Sequence, residues 1–169
     1  TADADEDLQA MLQHVVLTVD QSQWIVHEAR RRYRTHNAGR RFVEREVARA
    51  MADSARNPLD PTELWRQIRR RPEVFAALES MWPVLTPAQF LHDLFGARSL
   101  LHLAAGKAVS PEVADLLYRP RSESVDQVVW TQDDVPLLDV ARALLGPKPR
   151  IRRTDDVDDR RVRRLHPTE

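Results

Sequence analysis

Six histidines are the side chains best suited to acid–base or metal chemistry in this sequence, and cysteine is absent. His14, His27, His36, His92, His102 and His166 contain no HExxH pair and have no cysteine partner, so no ligand set of zinc spacing is present. His92 and Asp93 with His102 form the one group that folding would have to bring together; a histidine at the edge of an apolar helix is otherwise a boundary residue. Ser-His-Asp catalysis has no nucleophile-elbow motif to start from. Glu44, Glu46, Asp133 and Asp134 are candidate acids for a cleft, although Thr131 stands three residues before Asp134, the spacing of a helix cap. The nearest approach to a phosphate loop runs from Gly96 to Lys107-Ala108. Its glycines are too far apart, Leu100, Leu101 and Leu103 fill the interval, and Ala108 replaces the hydroxyl that would hold magnesium. It is not a Walker A loop.

Charge clusters carry more information. Arg30, Arg31, Arg32, Arg34, Arg40 and Arg41 flank a polar turn and are the candidate contacts to phosphate or to an acidic protein surface. Glu28, Glu44 and Glu46 neutralise part of this block, which is also the pattern of a solvated helix face. Aromatic residues for stacking bases are missing from it if Trp24 and Tyr33 are core residues, as their spacing predicts. Near the C-terminus, Asp155, Asp156, Asp158 and Asp159 form an acidic knot between arginine-rich arms. Such a knot can self-pair, bind magnesium weakly or reach into a positively charged channel; a solvated linker is the plainer alternative.

With 42% apolar and 31% charged residues the chain is globular, and its formal charge of zero gives no bulk preference for nucleic acid. Its 169 residues fit one domain burying roughly 70% of the unfolded surface. The absence of cysteine suits a reducing, cytoplasmic setting, and no stretch approaches the roughly 20 apolar residues of a membrane span. The first residue is Thr1, which suggests a piece of a longer chain.

The periodicity is helical nearly throughout. His14 to Val19 (HVVLTV) is the only strand candidate, β-branched and short. Ile25, Ala29 and Tyr33 then share a helix face, and Phe42, Val43, Val47, Ala50 and Met51 form the stripe of a second helix over 38–55. Thr62 is placed to cap a third helix with Leu64, Trp65 and Ile68, and Pro72 opens a fourth. The centre is Trp82 to Gly96 (WPVLTPAQFLHDLFG), where Thr86, Pro87 and Gln89 spell an N-cap, an N1 proline and a capping box. Ser110-Pro111 starts a short helix, and Leu137, Leu138, Ala141, Leu144 and Leu145 make a last stripe ended by Gly146-Pro147. The expected fold is mainly α: a compact irregular bundle of about six to eight helices with at most one short strand. A helical domain spans 1–146, and a mobile charged tail spans 147–169.

Three stretches together resemble the HelD-type, helicase-like RNA polymerase recycling ATPases of high-GC Gram-positive bacteria. They are Val16 to Arg49, with ARRRYRTHNAGRRFVERE; Leu64 to Leu103, with LESMWPVLTPAQFLHDLFGARSLLHL; and Val129 to Gly146, with VWTQDDVPLLDVARALLG. One departure is Val140, where the family usually has an acidic residue after Asp139. The resemblance implies the helical insertion that interrupts the ATP-binding lobe of a superfamily-one-like motor, with its two ends close together. It implies a non-catalytic fragment without a cofactor of its own, ATP and magnesium belonging to the parent motor. The implied partners are bacterial RNA polymerase core, nucleic acid and the remainder of the motor, with no membrane. The implied work is opening the polymerase clamp to release nucleic acid, with the Asp155 to Asp159 knot as the candidate for the family's acidic channel loop. The rival readings are a DNA-binding accessory domain of a helicase and a free-standing enzyme using His92, Asp93 and His102.

Overall fold

A computed structural model describes residues 16–55 and 59–149, which form eight α-helices and no strand. The fold is mainly helical, as the periodicity predicts. None of these helices is long and apolar enough to cross a membrane.

Helix α1 (Val19–Arg32) begins at the last residue of the strand candidate. Thr18 caps it: its backbone N–H donates to the Gln21 side chain at 2.9 Å, and the Gln21 N–H donates to Thr18 Oγ1 at 3.2 Å. The reciprocal capping box outweighs the β preference of Val16, Leu17 and Val19, which have no neighbouring strand among the described residues to complete a ladder. Val16 instead donates its N–H to Ser54 Oγ. His14 and Val15 lie outside the described residues.

Helix α2 (Arg40–Ser54) folds back against α1 through a 3₁₀ turn at Asn37–Gly39. Ile25 and Ala29 meet Phe42, Val43 and Val47, and the stripe extends to the buried Ala48 and Ala52. Helix α3 (Pro61–Ile68) packs Leu64 and Ile68 against Ala52. Its cap is Asp60, whose carboxylate accepts the Glu63 N–H at 2.8 Å, and not Thr62. Both residue types cap well, but Pro61 must occupy the first helical position, which sets the boundary before it. Helix α4 (Pro72–Met81) contributes Leu78 and, just past its end, Trp82 to the first core.

The central stretch then turns the chain into a second core. Thr86 and Gln89 form the expected capping box of α5 (Pro87–Phe95). Helices α6 (Arg98–Ala105), α7 (Pro111–Asp115) and α8 (Val135–Leu145) follow, and Leu91, Phe95, Leu101 and Ala141 cluster between them. Ser110 caps α7 as expected, whereas Thr131 and Asp134 box a 3₁₀ turn that leads into α8.

The two cores meet at Asn37, which is fully buried. Its Nδ2 donates to the carbonyls of Leu85 (2.9 Å) and Gly146 (3.0 Å), and its Oδ1 accepts the Leu85 N–H at 3.1 Å. Beside it the His36 ring stacks on Trp82 at 4.5 Å, the Trp82 indole N–H donates to the His36 carbonyl, and His36 donates through Nε2 to the Pro83 carbonyl. Two glycines permit this closeness. A Cβ on Gly39 would lie 2.8 Å from the Trp82 ring; one on Gly146, where φ is +70°, would lie 2.5 Å from Thr35 Oγ1.

Asn37→Ala orphans a buried N–H and two carbonyls at once, so it should cost about 3 kcal/mol in urea unfolding. Gly146→Ala should also lower the midpoint, and by more than Gly106→Ala, where φ is +53° but the space is open. A loss under about 1 kcal/mol for Asn37→Ala would remove the amide as the joint between the cores.

Candidate functional site

The second core is open on one side. Helices α5, α6, α7 and α8 surround a groove of about 350 Å³ whose lining is apolar side chains alone. Leu91, Phe95, Leu101 and Ala141 form its buried floor, while Leu117, Leu137, Val140 and Leu144 remain 42–61% exposed along its walls. Apolar residues gathered in this way, rather than scattered singly, mark a surface built for contact.

The groove has a stiff frame. Arg119 forks onto Asp134, Nη1 to Oδ2 at 3.0 Å and Nη2 to Oδ1 at 2.5 Å, and its backbone N–H donates to the Phe95 carbonyl. The same guanidinium lies 5.0 Å from the Phe95 ring centroid. Asp134, 1% exposed, also accepts the Thr131 N–H and hydroxyl at 2.9 Å each. The Arg119 fork, assisted by the Thr131 backbone, holds the Asp134 carboxyl far below its ordinary range despite its burial. This pair ties the loop after α7 to the start of α8 and to the end of α5. Neither residue has a distinctive sequence context beyond the Thr131 to Asp134 spacing, and the arginine partner lies fifteen residues away.

His92 and His102, the pair that folding would have had to bring together, are not joined. His92 has Nδ1 3.3 Å from Asp93 Oδ1 and Nε2 within 3.2 Å of the Ser122 carbonyl and hydroxyl. His102 pairs with Asp115 at 3.0 Å, and Arg98 reaches the same oxygen at 2.8 Å. Arg98, with help from His102, lowers the Asp115 pKa. His92 and His102 therefore belong to separate polar clusters, and no group of three metal-capable side chains occurs among the described residues. Glu44 pairs with Arg40 and Glu46 with Arg45, while Asp133 is exposed. The interval from Gly96 to Lys107 is occupied by α6, which leaves no room for a phosphate loop there.

The arginine block divides. Arg40 is 5% exposed and structural, binding Glu44, Glu79 and the Trp82 carbonyl, each at 2.7 Å. It caps the end of α4 and is withdrawn from the candidate surface contacts. Arg30, Arg31, Arg32, Arg34 and Arg41 are exposed. Glu28, buried beneath Arg31 and Arg32, accepts from both at 2.6 Å, and those bonds pull its pKa down to about 2. Trp24, expected in the core, is 54% exposed, because the inner stripe of α1 runs through Ile25, Glu28 and Ala29 and leaves position 24 outside it. Tyr33 is half-buried against Phe42. The acidic knot of Asp155, Asp156, Asp158 and Asp159 lies outside the described residues.

No family model matches the chain, and no curated protein matches it.

Because the Asp134 pKa is lowered by folding, its ionised form stabilises the native state above the unfolded carboxylate value of about 3.9, and that stabilisation fades as pH falls below it. Asp134→Asn should therefore melt below wild type at pH 7, and the gap in Tm should narrow as pH drops from about 4 toward 2. A gap that stays constant with pH would mean the charge of Asp134 adds nothing to its hydrogen bonds.

Proposed function

We propose that this chain is a non-catalytic helical module that binds bacterial RNA polymerase core. In this reading it serves a superfamily-one-helicase-like ATPase that opens the polymerase clamp and releases nucleic acid for recycling. The resemblance of three ordered stretches to HelD-type proteins supports the choice of partner. The observation that carries the reading on the physical side is the apolar groove of α5 to α8, a concave surface suited to a protein partner. The Arg119–Asp134 fork, with the caps of α5 and α7, gives it a fixed shape, so little ordering cost falls due on binding. ATP and magnesium enter this reading through the parent motor alone.

The test is titration of the chain against purified bacterial core polymerase by interferometry. A complex at micromolar concentration is expected, and Leu117→Glu with Leu144→Glu should weaken it at least about tenfold by putting charge into the groove wall. Absence of binding at tens of micromolar would overturn the partner. Undiminished binding by the double variant would overturn the groove as the contact surface.

A further inference from the structure

The outer side of the α1–α2 hairpin carries a second surface of different chemistry. On α2, Arg41, Arg45 and Arg49 recur every four residues, a step of about 6 Å along the axis, and all three are exposed. The acids between them are both paired: Glu44 takes the buried Arg40, and Glu46, with a side chain only 13% exposed, takes Arg45 of the row itself. Arg49 has no ion-pair partner among the described residues. On α1, Arg32 lies 5.0 Å from the Phe42 ring centroid, and Arg45 lies 5.3 Å from the same ring. The last turn of α1 and the arginine row of α2 therefore share one aromatic platform. Arg32 and Arg45 each give Nε to a glutamate, and their side chains remain 50% and 63% exposed.

Trp24 is exposed at the same height of the hairpin as this row. Contacts at both ends of the hairpin set its antiparallel register: Arg32 sits on Phe42, and the Val16 N–H reaches Ser54. Midway along α1, Trp24 is then level with residues 46–50 of α2, the height of Arg49. Its half-exposed indole lies on the outer side of the helix together with Arg31, seven residues or two turns further on.

We propose that this face binds single-stranded nucleic acid, with Arg32, Arg45 and Arg49 contacting phosphates and Trp24 stacking on a base. An acidic protein surface would explain the arginines but gives no role to an exposed indole at the height of Arg49. A strand uses both, because every base offers a π-face and every nucleotide a phosphate at a regular step. The face is separate from the groove of α5 to α8, so it stands or falls independently of the polymerase reading.

The experiment is fluorescence anisotropy of a labelled oligothymidylate of about 20 nucleotides, with the intact chain as titrant. Micromolar binding is expected, with log K falling about 0.7 per phosphate for each unit of log salt, hence a slope near −2 for three contacts. Arg45→Glu with Arg49→Glu should weaken binding at least about tenfold. Arg49→Glu alone, which breaks no ion pair among the described residues, should weaken it about threefold. Trp24→Ala should abolish the quenching of tryptophan emission and cost about tenfold. Leu117→Glu with Leu144→Glu should leave binding unchanged. Absent or salt-independent binding would overturn the proposal, as would full affinity in both Arg49→Glu and Trp24→Ala. Equal competition by polyglutamate would overturn it in favour of an acidic protein.

Discussion

One buried amide decides how the two halves of this molecule sit together. Asn37 spends both its N–H groups and its oxygen on backbone atoms of segments 48 and 109 residues further along the chain. Those backbone atoms need such a partner, because Leu85 precedes the cap of α5 and Gly146 follows the end of α8, so neither has a helical ladder to join. Each bond contributes only about 1 kcal/mol net, but each left unmade in a dry interior costs about 1–3 kcal/mol. The amide is therefore less a source of stability than a strong penalty on every other arrangement of the two cores. The His36–Trp82 stack and the close approaches at Gly39 and Gly146 make the same joint narrow as well as polar.

Arginine serves opposite ends in different places. Arg40 and Arg119 are parts of the frame: the first gathers two carboxylates and a helix-terminal carbonyl, and the second forks onto a buried aspartate while covering a phenylalanine. Fixed donors at several angles suit these sites, and a lysine would satisfy fewer acceptors in the same geometry. Among the outward arginines of α1 and α2, Arg31, Arg32 and Arg45 are anchored by the less exposed Glu28 and Glu46, which holds them in place on a face that Arg49 extends. A chain of zero formal charge can in this way carry a locally positive face, because the glutamates paired there lie deeper than their arginines.

Helix starts with a capping residue and a proline were legible, at Thr86-Pro87 and Ser110-Pro111, because their physics is local. Gly146-Pro147 was legible as a stop for the same reason, its positive φ being open to glycine alone. HVVLTV misled because β preference is only realised beside another strand, while Thr18 and Gln21 need nothing beyond each other. The arginine block was legible as a candidate surface, but not its division: Arg40 and Arg41 are neighbours in sequence, and only the path of α4 decides that one is buried. Trp24 was misplaced because a tryptophan carries no sign of which side of a stripe it occupies. The groove was latent in α8, whose apolar Leu137, Val140 and Leu144 spread beyond the stripe needed for one core, an excess that periodicity alone reads as better burial.

The joint at Asn37 bears on function through geometry. The α1–α2 face belongs to the first core and the apolar groove to the second, and the chain that links them passes through the one point where amide, ring stack and glycine contacts coincide. A soft linker there would let the two surfaces engage partners independently, with any gain from acting together diluted by the freedom of the link. A joint that penalises every alternative arrangement instead keeps the surfaces at one separation and one angle. Under the proposed roles, a polymerase held in the groove would then meet nucleic acid at a fixed place on the hairpin. That makes displacement of a strand a consequence of where the module is held, with no moving part required within it.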